Sequence, residues 1–306
     1  MNDKKKQTYL FLMFATLTWG IQPLFIKIIV REWSPVTLTC IRYLLISSTL
    51  FFIMWRRKEK QFIPPKECWL AIIIMGITGV AFNNVAQFTG LKYSTITNCT
   101  LIAATAPAVT ALFSTVFIRE RLNVLQWAGI VISFFGIIYL VSHGSLGAIL
   151  QLSLNYGDLL FFFCQINWAI YSIVGLKVMR KFSAMATTAW SGLMGGISVA
   201  LYGIVQNEVH FVEISQDATM AFAYIVLFGG VMSMLFWNIG VKNAGPTVAA
   251  VFSNITPLAG MICGFVFLNE IIGIQELFGA CAILGGVYLT THSERFLHRM
   301  KKETAV

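Results

Sequence analysis

Charged residues are scarce in this chain of 306 residues, since Asp, Glu, Lys and Arg together make up only 11% of it. An average soluble protein carries about twice that fraction, so a soluble globular domain and a disordered chain are both excluded. Apolar residues make up 57% instead. Divided into spans of about 20 residues, they suffice for about eight to ten membrane helices. We therefore expect an integral membrane protein.

Motifs for metal binding, nucleotide binding and catalysis are also missing. The six cysteines are scattered singly without a C-x-x-C pair, and the four histidines lie outside the apolar runs. There is no P-loop, no dinucleotide fingerprint and no plausible catalytic triad. These absences predict no metal, no cofactor, no ATP-driven pumping and no enzymatic chemistry. The net charge of +9 is explained by membrane topology, because basic loops are retained in the cytoplasm; it does not indicate a nucleic-acid partner.

Hydropathy divides the chain at short polar breaks into ten apolar spans. We expect membrane helices at residues 9–30, 35–55, 68–90, 94–117, 124–142, 157–179, 184–206, 219–241, 246–268 and 274–291. With the N-terminus in the cytoplasm, every Lys and Arg except Lys27, Arg31, Arg42 and Lys92 falls in or beside an inside segment. The long loop 207–218 contains no Lys or Arg, as an outside loop can. Both termini, including a basic tail at 292–306, are therefore predicted to be cytoplasmic.

The chain matches itself when it is shifted by about 150 residues. The shift superimposes Trp19 on Trp168, Pro107 on Pro257, Glu120 on Glu270, and several glycines on one another. These matches predict two repeats of five helices each, at residues 9–142 and 157–291. Because five is odd, the second repeat enters the membrane from the opposite side. Inverted repeats of this kind are typical of secondary transporters.

The repeated residues resemble those of EamA-type transporters of the drug/metabolite transporter superfamily. The resemblance rests on Trp19-Gly20 with Lys27, on Trp168-Ala169 with Lys177, on the two prolines, and on segments 119–129 and 269–279. It extends over residues 9 to about 290. It implies a bundle of ten helices with a central cavity lined by helices 1, 3, 4, 6, 8 and 9, which carries small metabolites, often outward.

Polar and aromatic side chains within these six helices are the candidate substrate-binding residues. They are Trp19, Gln22, Asn83, Asn84, Gln87, Asn98, Gln165, Trp168, Tyr171, Trp237, Asn238 and Asn254. Amides in lipid are costly unless they face protein or water, so the set predicts a pocket that is polar but uncharged. The alternative for any one of them is a hydrogen bond between helices, worth about 0.6–2 kcal/mol.

Three prolines lie inside predicted spans and are candidate hinges: Pro23, Pro107 and Pro257. Each removes a backbone hydrogen bond and frees the carbonyl four residues earlier, which is tolerated at mid-membrane only against protein or a wet cavity. A bent helix that packs against its neighbours is the alternative.

Charge within the spans is confined to a few basic residues, with no carboxylate deep in any span. The carboxylate in the first helix that marks small multidrug resistance proteins is therefore absent. Lys27 and Arg42 could attract a substrate carboxylate or extend to the interface. The repeat also suggests two gate or capping ion pairs, Lys27 with Glu270 outside and Lys177 with Glu120 inside. Alternatively, each glutamate caps the N-terminus of helix 5 or 10.

The sequence thus predicts a multi-pass protein of a bacterial inner membrane, whose partners are the lipid bilayer and a small-molecule substrate. Alternating access would export amphipathic metabolites such as amino acids or aromatic compounds. An uptake permease, a membrane sensor without transport and a lipid flippase are the alternatives.

Overall fold

A computed structural model describes residues 3–94, 99, 102–142, 147, 155–210, 212–268 and 273–303. The first helices are α1 (Asp3–Ile29), α2 (Pro35–Arg56), α3 (Trp69–Met75, Gly76–Phe82 and Asn83–Tyr93 in continuous succession), α4 (Ala106–Phe117) and α5 (Val124–Val141). The others are α6 (Tyr156–Val178), α7 (Ala184–Val205), α8 (Gln216–Val226, Leu227–Met232 and Ser233–Ala244 in succession), α9 (Pro246–Ser253 and Thr256–Leu268) and α10 (Ile274–Glu303). The described part of the chain is all-helical.

Length and composition make six helical stretches in the described residues long and apolar enough to cross a bilayer, and four shorter apolar helices accompany them. The shorter ones belong to α4, α5, α9 and α10. The predicted tail at 292–306 does not begin as a separate segment, because α10 continues to Glu303. No glycine or proline follows Gly286 in this helix, so no residue in that stretch favours a stop.

Helices α2 and α7 begin and end in the same way, as the shift of the sequence predicts for related segments. Ser34 and Ser183 are their N-caps, and each side chain accepts a backbone N–H three residues on. At the C-terminal ends, Lys58 and Asn207 adopt left-handed conformations with φ of 51° and 56°. The following N–H in each case donates to a carbonyl five residues earlier, as in a Schellman motif.

Two kinds of irregularity also recur about 150 residues apart. A π-helical segment interrupts α3 at Gly76–Phe82, and another interrupts α8 at Leu227–Met232. A turn at residues 104–105 directly precedes α4, and a turn at residues 254–255 divides α9 into its two parts. Each turn lies just before a proline, Pro107 or Pro257, which cannot donate the backbone hydrogen bond that would continue the helix.

The helices pack in pairs that relate one half of the chain to the other. α2 packs on α7, α4 on α9, and α5 on α10, so each helix contacts its own counterpart. In addition, α1 packs on α8 while α3 packs on α6. Because α6 and α8 are the counterparts of α1 and α3, these last two contacts are equivalent under the same exchange of halves. Buried side chains from both halves form the main core.

Candidate functional site

Three tryptophans and a tyrosine meet where α1, α6 and α8 come together. The ring centroid of Trp19 lies 5.6 Å from that of Trp168 and 5.4 Å from that of Trp237. Trp168 lies 5.4 Å from Trp237 and stacks on Tyr171 at 5.1 Å. Trp237 and Tyr171 are fully buried, whereas Trp19 and Trp168 are only partly buried. We call these four residues the aromatic cluster.

Hydrogen bonds and close packing hold the aromatic cluster in place. Trp19 Nε1 donates to the carbonyl of Gly229 at 2.9 Å, and Trp237 Nε1 donates to Ser172 Oγ at 3.3 Å. Gly79 lies so close to the ring of Tyr171 that an added Cβ would be 2.3 Å from Tyr171 Cδ2. Glycine in the π segment of α3 therefore allows α3 to pack directly against the Tyr171 ring of α6.

Two of the amide side chains that the sequence predicts to bind substrate are buried and form hydrogen bonds to neighbouring helices. Asn238 Nδ2 donates to Tyr171 Oη at 2.8 Å and to Thr188 Oγ1 at 2.7 Å. Asn254 Nδ2 donates to Ser133 Oγ at 2.9 Å. Both side chains are almost completely buried. In this conformation Asn238 and Asn254 therefore join helices, which is the alternative that the sequence left open.

The amides of α3 and α6 occupy mixed environments. Asn84 is buried and donates to the carbonyl of Val80 in its own helix, Asn83 is half-buried, and Gln87 is exposed. Gln165 is half-buried and donates to the carbonyl of Phe161 at 3.1 Å. Asn98 lies outside the described residues. The structure thus leaves Asn83 and Gln165 partly accessible, in the same range as Trp19 and Trp168.

Arg42 and Gln22 lie next to the aromatic cluster. Arg42 is 5% exposed, and its Nη2 donates to Gln22 Oε1 at 3.0 Å and to the Gly229 carbonyl at 3.5 Å. That carbonyl also accepts from Trp19. The side chain of Arg42 therefore points into the protein and does not extend to the membrane interface. Sequence reasoning could not locate it, because no pattern in the sequence shows that Gly229 of α8 lies between Trp19 and Arg42.

The three candidate hinge prolines differ in setting. Pro23 lies inside the continuous helix α1 and is exposed. Pro107 is buried at the start of the described α4, and Pro257 lies at the start of the second part of α9. Only the latter two follow a turn in the chain.

Glu120 contacts a helix of the other half. Its Oε2 accepts a hydrogen bond from Thr247 Oγ1 at 2.8 Å, in the first turn of α9. The predicted pair with Lys177 is not formed within the described structure, where the side chain of Lys177 is exposed. Nor does Glu120 cap α5, because Asn123 and Gln126 cap that helix reciprocally. The carboxylate is instead placed at the N-terminus of α9, where the helix dipole favours negative charge.

The second predicted ion pair, between Lys27 and Glu270 on the outer side, stays a prediction. Glu270 lies outside the described residues, and so does the side chain of Lys27.

Burial raises the pKa of the Glu120 carboxyl above its usual 4.5, against the opposing effect of the hydrogen bond from Thr247.

Comparison with known families decides the identity of the chain. The model of the EamA-like transporter family matches it twice, at residues 6–142 and 155–292. The chain belongs to the EamA-like transporter family. The resemblance suggested by the tryptophans, prolines and glutamates of the two halves is therefore confirmed.

Relatives of this EamA-family chain carry transporter names. An uncharacterized transporter of Archaeoglobus fulgidus is 30% identical over 95% of this chain and 98% of its own length. The uncharacterized transporter YyaM of Bacillus subtilis is 25% identical over 93% of each chain. The uncharacterized inner membrane transporter YedA of Escherichia coli K12 is 25% identical, over 90% of this chain and 87% of its own.

A solved crystal structure shares the fold of this EamA-family chain. It superimposes with a TM-score of 0.80 at 20% identity, over 95% of this chain and 99% of the other. This likeness shows the fold; that the protein is a multi-pass membrane transporter rests on the family match and on the transporter names of its relatives.

Proposed function

We propose that this EamA-family protein is a secondary transporter that exports small amphipathic metabolites, such as amino acids or aromatic compounds, by alternating access. The membrane would be a bacterial inner membrane, with both termini in the cytoplasm. The observation that carries the proposal is the contact between Trp19 and Trp168, whose ring centroids are 5.6 Å apart. These residues occupy equivalent positions in the two halves, so their contact lies where the halves meet.

Alternating access needs two arrangements of similar energy that open to opposite sides. The equivalent contacts of α1 with α8 and of α6 with α3 support this model. If the halves are inverted, as the odd number of predicted helices implies, exchanging the conformations of the two halves converts one opening into the other. The half-buried Trp19 and Trp168 would then contact substrate in both arrangements.

The chemistry of the site supports an amphipathic substrate. Indole rings offer large apolar faces. Gln22 of α1 and Gln165 of α6, each three residues from a tryptophan of its own helix, offer amide donors and acceptors, as does Asn83 of α3. Ligand sites generally combine mostly apolar walls with a few polar groups. We propose that Trp19, Trp168 and Asn83 contact the substrate directly, while Asn238 and Asn254 keep the helices together.

Counterflow in proteoliposomes tests this proposal. A panel of radiolabelled amino acids and aromatic metabolites is screened for exchange, and we expect at least one to be exchanged. Trp19→Ala and Asn83→Ala should then reduce that flux by about ten-fold or more, since each removes a substrate contact worth about 1.4 kcal/mol. Size-exclusion profiles should stay those of folded protein.

Trp55→Ala is the matched control, because Trp55 is 64% exposed at the end of α2 and should leave flux unchanged. Normal flux in both Trp19→Ala and Asn83→Ala would contradict the assigned site. Uptake of the same solute into right-side-out vesicles without efflux from loaded ones would contradict export.

A further inference from the structure

We propose that Arg42 is a recognition site for the carboxylate group of the transported molecule. The inference rests on the proposed transport function and adds the substrate class: amphipathic monocarboxylates, with the apolar part against the aromatic cluster and the carboxylate at the guanidinium. It begins from a cation that lies inside the protein and has no counter-ion among the described residues.

Arg42 is almost completely buried, but the described groups around it satisfy only part of its hydrogen-bonding capacity and do not neutralise its charge. The side chain is 5% exposed. Nη2 contacts Gln22 Oε1 at 3.0 Å and the Gly229 carbonyl at the longer distance of 3.5 Å, and both acceptors are neutral. Nε is buried with no hydrogen-bond partner. The Tyr43 ring, 5.4 Å away, adds only a weak cation–π contact.

No described carboxylate neutralises this charge. The ion pair in the described part of the chain joins Lys181 to Glu67, on the surface. A buried cation is expensive unless it is paired and fully hydrogen-bonded. An anion that binds here would remove that cost, so the site favours an anionic ligand over a neutral one of the same shape.

Packing alone does not require a cation at this place. The shift that superimposes Trp19 on Trp168 and Gln22 on Tyr171 superimposes Arg42 on Ser191. Ser191 is buried at the matching position of α7 and donates to the carbonyl of Thr188 at 3.3 Å. The matching position of the other half is thus buried with a small neutral residue that bonds within its own helix, and the guanidinium is specific to the half that contains Arg42.

The position of Arg42 suits a ligand that also touches the aromatic cluster. The Gly229 carbonyl accepts from Trp19 Nε1 at 2.9 Å and from Arg42 Nη2 at 3.5 Å, so the indole and the guanidinium are neighbours. Gln22 packs closely on Gly229, because an added Cβ there would lie 2.2 Å from Gln22 Oε1 and the end of the Gln22 side chain would have to move. Guanidinium groups bind carboxylates through two parallel hydrogen bonds, and the free Nε–H supplies one donor that is not yet used.

The test compares two probes of the same shape and different charge. 3-Phenylpropanoate and 3-phenylpropanamide are titrated into the purified protein, and binding is followed by tryptophan fluorescence, which Trp19 makes sensitive to this site. We expect the wild type to bind the carboxylate at least ten-fold more tightly than the amide, as for a hydrogen bond to a charged group. Arg42→Gln should lower the affinity for the carboxylate by ten-fold or more and change the affinity for the amide less than two-fold.

A second variant keeps the test decisive if Arg42→Gln does not fold. Gln22→Glu places a carboxylate of the protein where Gln22 Oε1 now contacts Arg42, so it should remove the preference for the carboxylate probe without removing the guanidinium. Arg31→Gln is the control, because Arg31 is exposed and its loss should leave the preference intact.

Equal binding of the two probes by the wild type would overturn the assignment, and so would an undiminished preference in Gln22→Glu or Arg42→Gln. These outcomes differ from failure of the proposed function. If the amide binds and the metabolite panel is exchanged, transport stands and only the role of Arg42 is lost. If neither probe binds and no flux occurs, the transport site itself is contradicted.

Discussion

Single residues of this protein take their roles from helices that are distant in sequence. The Gly229 carbonyl of α8 accepts from Trp19 of α1 and Arg42 of α2, and Thr247 of α9 donates to Glu120, which follows α4. Composition predicted that such polar groups lie within the bundle. It could not predict their partners, because hydrogen-bond pairing depends on which helices meet.

Glu120 allows a prediction at the residue scale, because its pKa is raised mainly by burial. A carboxyl whose pKa is higher in the folded state ionises first in the unfolded chain, so rising pH above 4.5 favours unfolding until the folded carboxyl ionises too. Glu120→Gln removes this loss of stability with rising pH, because the glutamine side chain does not ionise. The melting temperature of the variant minus that of the wild type should therefore increase as pH rises from 4 to 7, measured by scanning fluorimetry in detergent.

Glu67→Gln is the control for this pH dependence, with the opposite sign. The hydrogen bond from Lys181 lowers the pKa of the exposed Glu67 carboxyl, so its contribution to stability appears as pH rises through that range and is small at a surface site. A difference for Glu120→Gln that does not vary with pH would show that its carboxylate is not buried against α9.

At the scale of the element, helix existence was more predictable than helix interruption. All ten predicted spans overlap helices of the described structure, because long apolar runs must form helices in a bilayer. The turns before Pro107 and Pro257 follow from proline chemistry. The π segments at Gly76–Phe82 and Leu227–Met232 gave no comparable signal, since their sequences are as apolar as the helices that contain them.

The π segment of α3 supports a prediction about helix contact. A Cβ on Gly76 would lie 2.6 Å from the backbone N of Gly195 and 2.8 Å from the Ser191 carbonyl. Because both are backbone atoms, α3 and α7 would have to separate. Gly76→Ala should destabilise the protein by about 1–3 kcal/mol and lower its melting temperature in detergent.

Gly285 supplies the matched control on α10, since a Cβ there would meet nothing within 4 Å. Gly285→Ala should be neutral or stabilise the helix by up to about 1 kcal/mol. If the two alanine variants melted at the same temperature, the close approach of α3 and α7 would not be a determinant of stability.

In the whole molecule, the contacts between helices are equivalent when the two halves are exchanged, but the charges are distributed unequally between the halves. The contacts between counterpart helices agree with the repeat read from the sequence, whereas the orientation of the halves in the membrane depends on the loops. Helix α2 ends at Arg56 and is followed by Arg57, Lys58 and Lys60, whereas 207–215, after α7, contains no Lys or Arg. Basic loops stay in the cytoplasm, so these two matching loops should face opposite sides.

Cysteine labelling in intact cells tests this topology. Lys60 and Glu213 are both exposed in their loops. A membrane-impermeant maleimide should label Glu213→Cys in intact cells and label Lys60→Cys only after lysis, each measured above the signal of the parent with its native cysteines. Labelling of Lys60→Cys without lysis would require a different orientation of the chain.

The uninterrupted α10 has a geometric consequence. Thirty residues, Ile274–Glu303, correspond to a rod of about 45 Å at 1.5 Å per residue, whereas a bilayer interior is only about 30 Å thick. Roughly a third of the rod must therefore project past the lipid tails. A small folded domain fused to this projecting part through a continuous helix would be held rigidly relative to the bundle. Such a domain would help to align images of this small membrane protein in electron microscopy.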